Sequence, residues 1–316
     1  MLRVKFGVFL PFYAFGFNDE RYRSFELLRE IVLECEMLGY HSVWIDDHLM
    51  YRDKPVLECW TTLSALSTIT RRIRLGTMVM CSSFRKPAVM AKMAATLDII
   101  SGGRLELGLG AGAQKEEHEA YGFNYSSLRF RAEQLEECIE IIKKLWMETE
   151  VTFHGRHYRV EKAICQPKPV QKPHPPIIIG GHSNPILKVT ARHADRFDWG
   201  PQPMENYRAL LQALENHCRT VGRDPCEIEK ACWLGGAIYM AEDKKQLEEN
   251  IHAWKPPNMP TEAFKKQNFL GTPEDMIEEI QKYLDLDVKF FMLYFGDLPE
   301  KSSLRIFADN VAKEFH

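Results

Sequence analysis

Long apolar runs are missing from this chain: none of its 316 residues falls in an uninterrupted apolar stretch of the roughly 20 positions that a bilayer-crossing helix needs. The start, Met1-Leu2-Arg3-Val4-Lys5-Phe6, lacks the apolar core of a secretion signal and reads directly as a strand. A dominant charge is missing too. Forty-one Lys and Arg against 44 Asp and Glu leave a formal charge of −3, so no global field favours nucleic acid or an anionic membrane. Short basic pairs such as Arg71-Arg72 and Lys143-Lys144 read as solvated helix faces. The eight cysteines, at 35, 59, 81, 138, 165, 218, 226 and 232, include no C-x-x-C pair, which speaks against a zinc framework; no metal site is expected. Most of these cysteines lie within apolar-periodic segments and read as small buried hydrophobes of a reducing compartment, the cytoplasm. Three signature loops are also absent. No G-x-G-x-x-G follows the first strand, where Pro11-Phe12-Tyr13-Ala14 stands instead, no Gly-Lys-Ser/Thr phosphate loop occurs, and no G-x-S-x-G nucleophile elbow supports an esterase.

What is present is ordinary globular composition, 45% hydrophobic and 27% charged, arranged as alternating strand and helix signals. Strands are predicted over 4–11, 42–46, 74–79, 105–109, 177–179, 197–200, 233–240 and 290–295. Between them, apolar residues recur at helical spacing: Phe25, Leu28, Val32, Cys35 and Leu38 stop at Gly39, and Val89, Met93, Leu97 and Ile100 stop at Gly102-Gly103. Further helices are expected over 57–69, 186 onward, 207–221, 247–254, 276–284 and 304–315. Eight strands joined by crossover helices make a (β/α)8 TIM barrel, with a doubly wound open sheet as the rival that lacks its glycine fingerprint. The alternation pauses between about 111 and 176. This stretch holds one helix (Leu135, Cys138, Ile139, Ile142 and Trp146 on one face), a hairpin around His154-Gly155 and a Pro-rich run. We read residues 1–316 as one barrel domain, with 111–176 inserted on its C-terminal face.

Barrel chemistry sits at the C-terminal strand ends. Strand 2 ends in Asp46-Asp47-His48, where a carboxylate beside an imidazole can orient it and raise its basicity. Strand 4 runs into Gly108-Leu109-Gly110-Ala111-Gly112, whose alternate glycines leave one side of the backbone bare for a flat ligand or simply form a tight strand exit. Ile179-Gly180-Gly181-His182-Ser183-Asn184-Pro185 carries a strand through bare backbone to a helix N-terminus, with Ser183 or Asn184 as cap and Pro185 in the first turn: a site suited to phosphate. Other features read as structural. Ser101-Gly102-Gly103-Arg104 is a helix stop with the Arg packing at the lower end of the barrel, and Glu58 and Trp60 open a helix as dipole partner and core anchor.

Taken in order, these pieces resemble the luciferase-like monooxygenase superfamily, and within it the branch that uses the deazaflavin coenzyme F420. The landmarks are Gly39-Tyr40-His41-Ser42-Val43-Trp44-Ile45-Asp46-Asp47-His48, Leu57-Glu58-Cys59-Trp60-Thr61, Ile73-Arg74-Leu75-Gly76-Thr77, Ala95-Thr96-Leu97-Asp98, Ser101-Gly102-Gly103-Arg104 and Gly108-Leu109-Gly110-Ala111-Gly112. Glu117, Tyr121-Gly122, Pro167-Lys168-Pro169 and Pro175-Pro176-Ile177 with Gly180-Gly181 follow in the same order. The resemblance implies that Asp47 and His48 face the redox ring, with His48 as acid/base or hydrogen-bonding group. It implies a non-prolyl cis peptide at Met78-Val79 against the back of the ring, and a lining of Cys81, Ala111 and Gly112 with Glu116 nearby. The turn from Ile179 through Gly180 and Gly181 would contact phosphate. The chain departs from the pattern after Gly112. Many relatives carry Trp there and the sugar-phosphate dehydrogenase branch a Glu, whereas this chain has Ala113, which speaks against sugar-phosphate chemistry. A second acid would then come from elsewhere, with Glu117 either that acid or a structural residue.

The function this implies is hydride transfer between F420 and a small organic substrate, in a homodimer that binds neither nucleic acid nor membrane. The alternatives are a monooxygenase using reduced FMN and oxygen, or a flavin-binding barrel without catalysis. Phe12, Tyr13, Phe15, Phe17, Met50 and Tyr51 suggest an aromatic mouth, walled further by the loop near Lys255 to Asn258, though the same residues could pack a loop or a subunit interface.

Overall fold

The computed structural model describes residues 4–11, 23–52 and 54–315. Its strands in chain order are β1 (Lys5–Phe9), β2 (Ser42–Ile45), β3 (Arg74–Thr77), β4 (Met80–Cys81), β5 (Leu105–Gly110), β6 (Val151–His154), β7 (Arg159–Ala163), β8 (Ile177–Gly180), β9 (Arg196–Asp198), β10 (Ala231–Trp233), β11 (Ile238–Met240), β12 (Phe269–Gly271) and β13 (Phe290–Leu293). Eight of them run parallel in the order β10-β13-β1-β2-β3-β5-β8-β9, with β4 as a short continuation of β3 beside β5. The two ends meet where Glu229 N donates to Asp195 O at 2.9 Å and Arg196 bridges Glu229. The sheet therefore closes on itself. With that closure the fold is a (β/α)8 barrel and the open-sheet rival is excluded.

The helices are α1 (Arg23–Met37), α2 (Cys59–Ile69), α3 (Pro87–Ser101), α4 (Lys115–Ala120), α5 (Leu128–Met147), α6 (Asn184–His193), α7 (Met204–Val221), α8 (Lys244–Trp254), α9 (Thr261–Gln267), α10 (Pro273–Leu284) and α11 (Ser302–Asn310). Their limits follow from local chemistry. Gly39 and Gly102, at φ 85° and 69°, end α1 and α3 in the left-handed conformation that glycine adopts without penalty. Glu58 caps α2 by accepting from Thr61 N at 2.7 Å, and Thr272 with Asp275 forms a capping box on α10. Among the described residues no helix is long and apolar enough to cross a membrane.

Two layers fill the barrel. The floor, at the N-terminal strand ends, is ionic: Glu106 meets Arg196 and lies 2.6 Å from Arg74 Nε, while Arg196 also pairs with Glu229 at 3.0 Å. Above it Trp44 packs with Phe290, Ile178, Met292, Ala231 and Phe9. The indole lies flat on Gly76, where a β-carbon would overlap Trp44 Cδ2 and Cε3, so Gly76 serves a close approach. Arg104 packs below as expected. It is buried and donates to Ser101 O, Ile73 O, Ser67 O, Thr70 O and Thr70 Oγ1.

Three features depart from the sequence reading. The predicted strand 233–240 is two strands: β10 belongs to the barrel, and β11 leaves it to pair with β12. The break is at Leu234-Gly235-Gly236, where Gly235 takes φ 79° and a β-carbon on Gly236 would strike the Gln267 backbone carbonyl. Secondly, α5, within the stretch 111–176, packs between α3 and α6 in the outer ring. The part lying off the helix ring is α4 and the antiparallel β6–β7 hairpin. Finally, β4, β12, α4 and α9 are too short to carry a periodic signal and were not anticipated.

Candidate functional site

The strand ends at His48, Val79, Gly112 and Gly181 converge on one cavity of about 670 Å³ at the C-terminal rim of the barrel. Nine expected residues line it: Asp47, His48, Met78, Val79, Cys81, Ala111, Gly112, Gly180 and Gly181. Two do not. Ile179 points into the hydrophobic core, and Glu116 is exposed on α4. The alternation of a strand explains the first: Ile178 and Gly180 share the inner face, so Ile179 between them points outward to the helices. On the expected mouth, Phe12, Tyr13, Phe15 and Phe17 lie outside the described residues. Tyr51 packs its ring 5.4 Å from that of His48, and the segment 255–258 does not line the cavity.

The carboxylate that orients His48 is Glu117, not its sequence neighbour. His48 Nδ1 lies 3.0 Å from Glu117 Oε2, while Glu117 Oε1 accepts from Leu49 N at 2.5 Å and Met50 N at 3.2 Å. Burial raises the Glu117 pKa, but these three contacts outweigh it and hold the group below the ordinary carboxylate range. Burial likewise opposes charge on His48, but Glu117 and the neighbouring acids prevail and its pKa is raised. Each shift favours the charged form of its group, so the two side chains stabilise one another. Within the fold Glu117 thus ties the His48 ring to the backbone of Leu49 and Met50.

Asp47, although it borders the cavity, is held by the segment around β4. Arg85 grips it bidentately at 2.7 and 2.9 Å, and Cys81 N donates to it at 3.0 Å. Arg85 also reaches Glu58 at 2.7 Å, tying the cap of α2 to the loop after β4. Asp46, in contrast, is on the inward side with Trp44, 5% exposed, and neither of its side-chain oxygens has a hydrogen-bond partner. Burial pushes its pKa up to about 6. The sequence carried a signal for this, because alternation along Ser42-Val43-Trp44-Ile45-Asp46 puts Asp46 on the Trp44 face. No comparable signal marked Arg85.

The Met78–Val79 peptide is cis, as the resemblance implied. The glycines of strands β5 and β8 make room for this bulge. A β-carbon on Gly110 would lie 2.6 Å from Val79 Cγ2, one on Gly180 2.7 Å from the same atom, and one on Gly108 2.9 Å from Val79 Cγ1. Val79 thus occupies the bare strip, and Met78 and Val79 together offer the apolar wall against which a ring can rest. Beside it His118 is buried; its Nδ1 donates to Gln114 O at 2.7 Å, leaving Nε2 to accept from Ser83 Oγ at 2.8 Å, and Cys81 Sγ lies 3.0 Å from that hydroxyl. Burial pushes the Cys81 thiol up to about 11, so it acts as a packed thiol and not a thiolate nucleophile.

At the far side, β8 passes through Gly180 and Gly181 (φ 108°) to Ser183, the N-cap of α6, with Pro185 in the first turn. The Ser183 hydroxyl makes no capping bond and is buried without a partner. A helix N-terminus with an unused hydroxyl beside bare backbone is suited to a phosphate group.

The luciferase-like monooxygenase family matches residues 4–288. Among curated relatives, the F420-dependent glucose-6-phosphate dehydrogenase of Kineococcus radiotolerans is 30% identical over 241 residues, covering 74% of this chain and 70% of its own. The enzyme of the same name from Microbacterium testaceum is 28% identical over 325 residues, covering 94% of this chain and 96% of its own. An F420-dependent secondary alcohol dehydrogenase solved with an F420–acetone adduct superposes with a TM-score of 0.80 at 20% identity, over 98% of both chains, which shows the shared fold. This chain belongs to the luciferase-like monooxygenase family, in its branch of F420-dependent oxidoreductases.

Proposed function

We propose that this protein transfers hydride between coenzyme F420 and a small organic substrate, both bound in the rim cavity. The observation that carries the reading is the pairing of the Met78–Val79 wall with the unused Ser183 hydroxyl at the α6 N-terminus, one suited to a flat ring and the other to its phosphate. The names of the relatives favour F420 over FMN. Met78, Val79, Ala111 and Gly112 would hold the ring, and Gly180, Gly181 and Ser183 the phosphate. F420 supplies a carbon-centred two-electron carrier. The chain's own part is to exclude water, orient the ring and manage protons, with the His48 ring held at the edge of the cavity by Glu117.

The substrate we infer is uncharged. Among the described lining residues the Lys/Arg set consists of Arg131, and that side chain is already spent on Ala111 O at 3.2 Å, on Ser126 O and on the Tyr125 ring, 4.0 Å from its centroid. Together with Ala113 in place of a carboxylic acid, this disfavours a sugar phosphate. Fluorescence titration of the purified protein with F420 and with FMN tests the cofactor; F420 is expected to bind in preference, and tight FMN binding with no F420 binding would overturn the proposal.

A further inference from the structure

Among the described residues four carboxylates line the cavity, and three of them accept hydrogen bonds. Both Asp47 oxygens are held by Arg85, both Glu117 oxygens by His48 and the Leu49 and Met50 amides, and Asp198 Oδ1 accepts from Gly200 N at 2.7 Å and Trp233 Nε1 at 2.8 Å. Asp46, which borders the same cavity, is the one of the four whose two oxygens are both buried without a partner. A buried polar group left unpaired is destabilising by roughly 1–3 kcal/mol, more when charged, and such a group in a cavity wall is one that a ligand satisfies.

We propose that Asp46 is the proton-exchanging group of this site: its carboxyl meets the substrate oxygen at the reacting carbon and trades the proton that accompanies hydride transfer, while Glu117 only positions His48. This rests on the hydride-transfer reading above. In the oxidative direction the substrate C–H bond would break with both electrons leaving as hydride, for which a bound deazaflavin would be the two-electron acceptor. The adjoining O–H bond breaks, the proton goes to the Asp46 carboxylate, and the electron pair left on oxygen forms the C=O bond. In the reductive direction the carbonyl carbon gains hydride, the oxygen takes the Asp46 proton, and the carboxylate is reprotonated from solvent through the mouth.

The choice of an alcohol/carbonyl pair follows from what a carboxyl needs. An ionised Asp46 requires a donor, which a hydroxyl supplies; a neutral Asp46 requires an acceptor, which a carbonyl supplies. The same two partners thus satisfy both states of the residue and both sides of the reaction. The charged groups acting on Asp46 are His48, which stabilises its carboxylate, and Asp47 and Glu117, which oppose it. Together with burial they leave it titrating near 6, within the range useful to a general acid or base at neutral pH. The missing carboxylic acid at Ala113 is thereby replaced from a different strand.

The test uses the full chain, Asp46→Asn, Asp46→Glu and Glu117→Gln. F420 titration comes first; wild type and Asp46→Asn are expected to bind within about threefold of one another, whereas a wild type that binds no F420 refutes the hydride-transfer reading itself. Infrared difference spectra of wild type against Asp46→Asn should show a carboxylic-acid band with a midpoint near pH 6 that the variant lacks. Reduced F420 with a panel of simple ketones, and oxidised F420 with the matching secondary alcohols, gives kcat and KM. Asp46→Asn should lower kcat by about 10²-fold or more with KM little changed and erase the limb of the pH profile near 6, Asp46→Glu should restore part of the rate, and Glu117→Gln should keep that limb. The proposal fails if the band is absent or survives in Asp46→Asn, if kcat is unchanged, or if wild type turns over no compound of the panel.

Discussion

A methyl group added at Gly110 would sit 2.6 Å from Val79 Cγ2, roughly an ångström inside ordinary contact, while its next neighbours, Val79 Cβ and Gly180 O, are both at 3.8 Å. The overlap is with one side chain only. Gly110→Ala should therefore destabilise by about 1–3 kcal/mol as an overpacked site does. Val79→Ala, at a half-buried position, should destabilise by about 1–2 kcal/mol. The double variant should not show the sum: with both Cγ atoms gone, the new methyl has room, and its stability should approach that of Val79→Ala alone. The expected coupling is thus about 1–3 kcal/mol in favour of the pair. Gly108→Ala is the control, because its β-carbon overlaps the Thr77 backbone carbonyl, which Val79→Ala does not remove. Guanidinium unfolding with a shared slope measures the four midpoints, and F420 titration reads whether the wall has moved. Additivity within about 0.5 kcal/mol for Gly110→Ala with Val79→Ala, or rescue of Gly108→Ala, would falsify the seat described for the bulge.

Other outcomes follow from single contacts. Arg85→Met leaves the Asp47 side chain, 1% exposed, with the Cys81 amide as its remaining partner, and should lower stability by about 3–5 kcal/mol in denaturant unfolding, with Arg85→Lys recovering only part because the bidentate grip is lost. Glu106→Gln deprives buried Arg196 of one carboxylate and should destabilise by about 3 kcal/mol at neutral pH. Although burial works against it, the surrounding Arg196, His41 and Arg74 hold the Glu106 pKa well below 4.5. Its contribution is therefore complete above the unfolded-state value and is lost as pH falls toward the folded-state one, so wild type and Glu106→Gln should converge in acid and a gap that widens there would contradict the sign. Ser183→Ala removes a hydroxyl that makes no capping bond, so the unfolding midpoint should hold while F420 affinity falls about tenfold, the effect of one hydrogen bond to a charged group; unchanged affinity would remove Ser183 from the phosphate site.

The alternation of strand and helix signals, the helix stops at Gly39 and Gly102 and the count of eight strands were legible in the sequence because they depend on local periodicity and glycine backbone freedom. So were the four strand ends that carry the site, because parallel strands in a closed barrel present their C-terminal ends to one rim. Pairings between residues distant along the chain were not legible. That Glu117 and not Asp47 holds His48, that Arg85 rather than the ring claims Asp47, and that Val79 fills the strip left by Gly108, Gly110 and Gly180 are contacts between different barrel elements. The sequence named an Asp-Asp-His triplet and a run of glycines; only the closed barrel decided which carboxylate is spent on the scaffold and which is left without a partner inside the cavity.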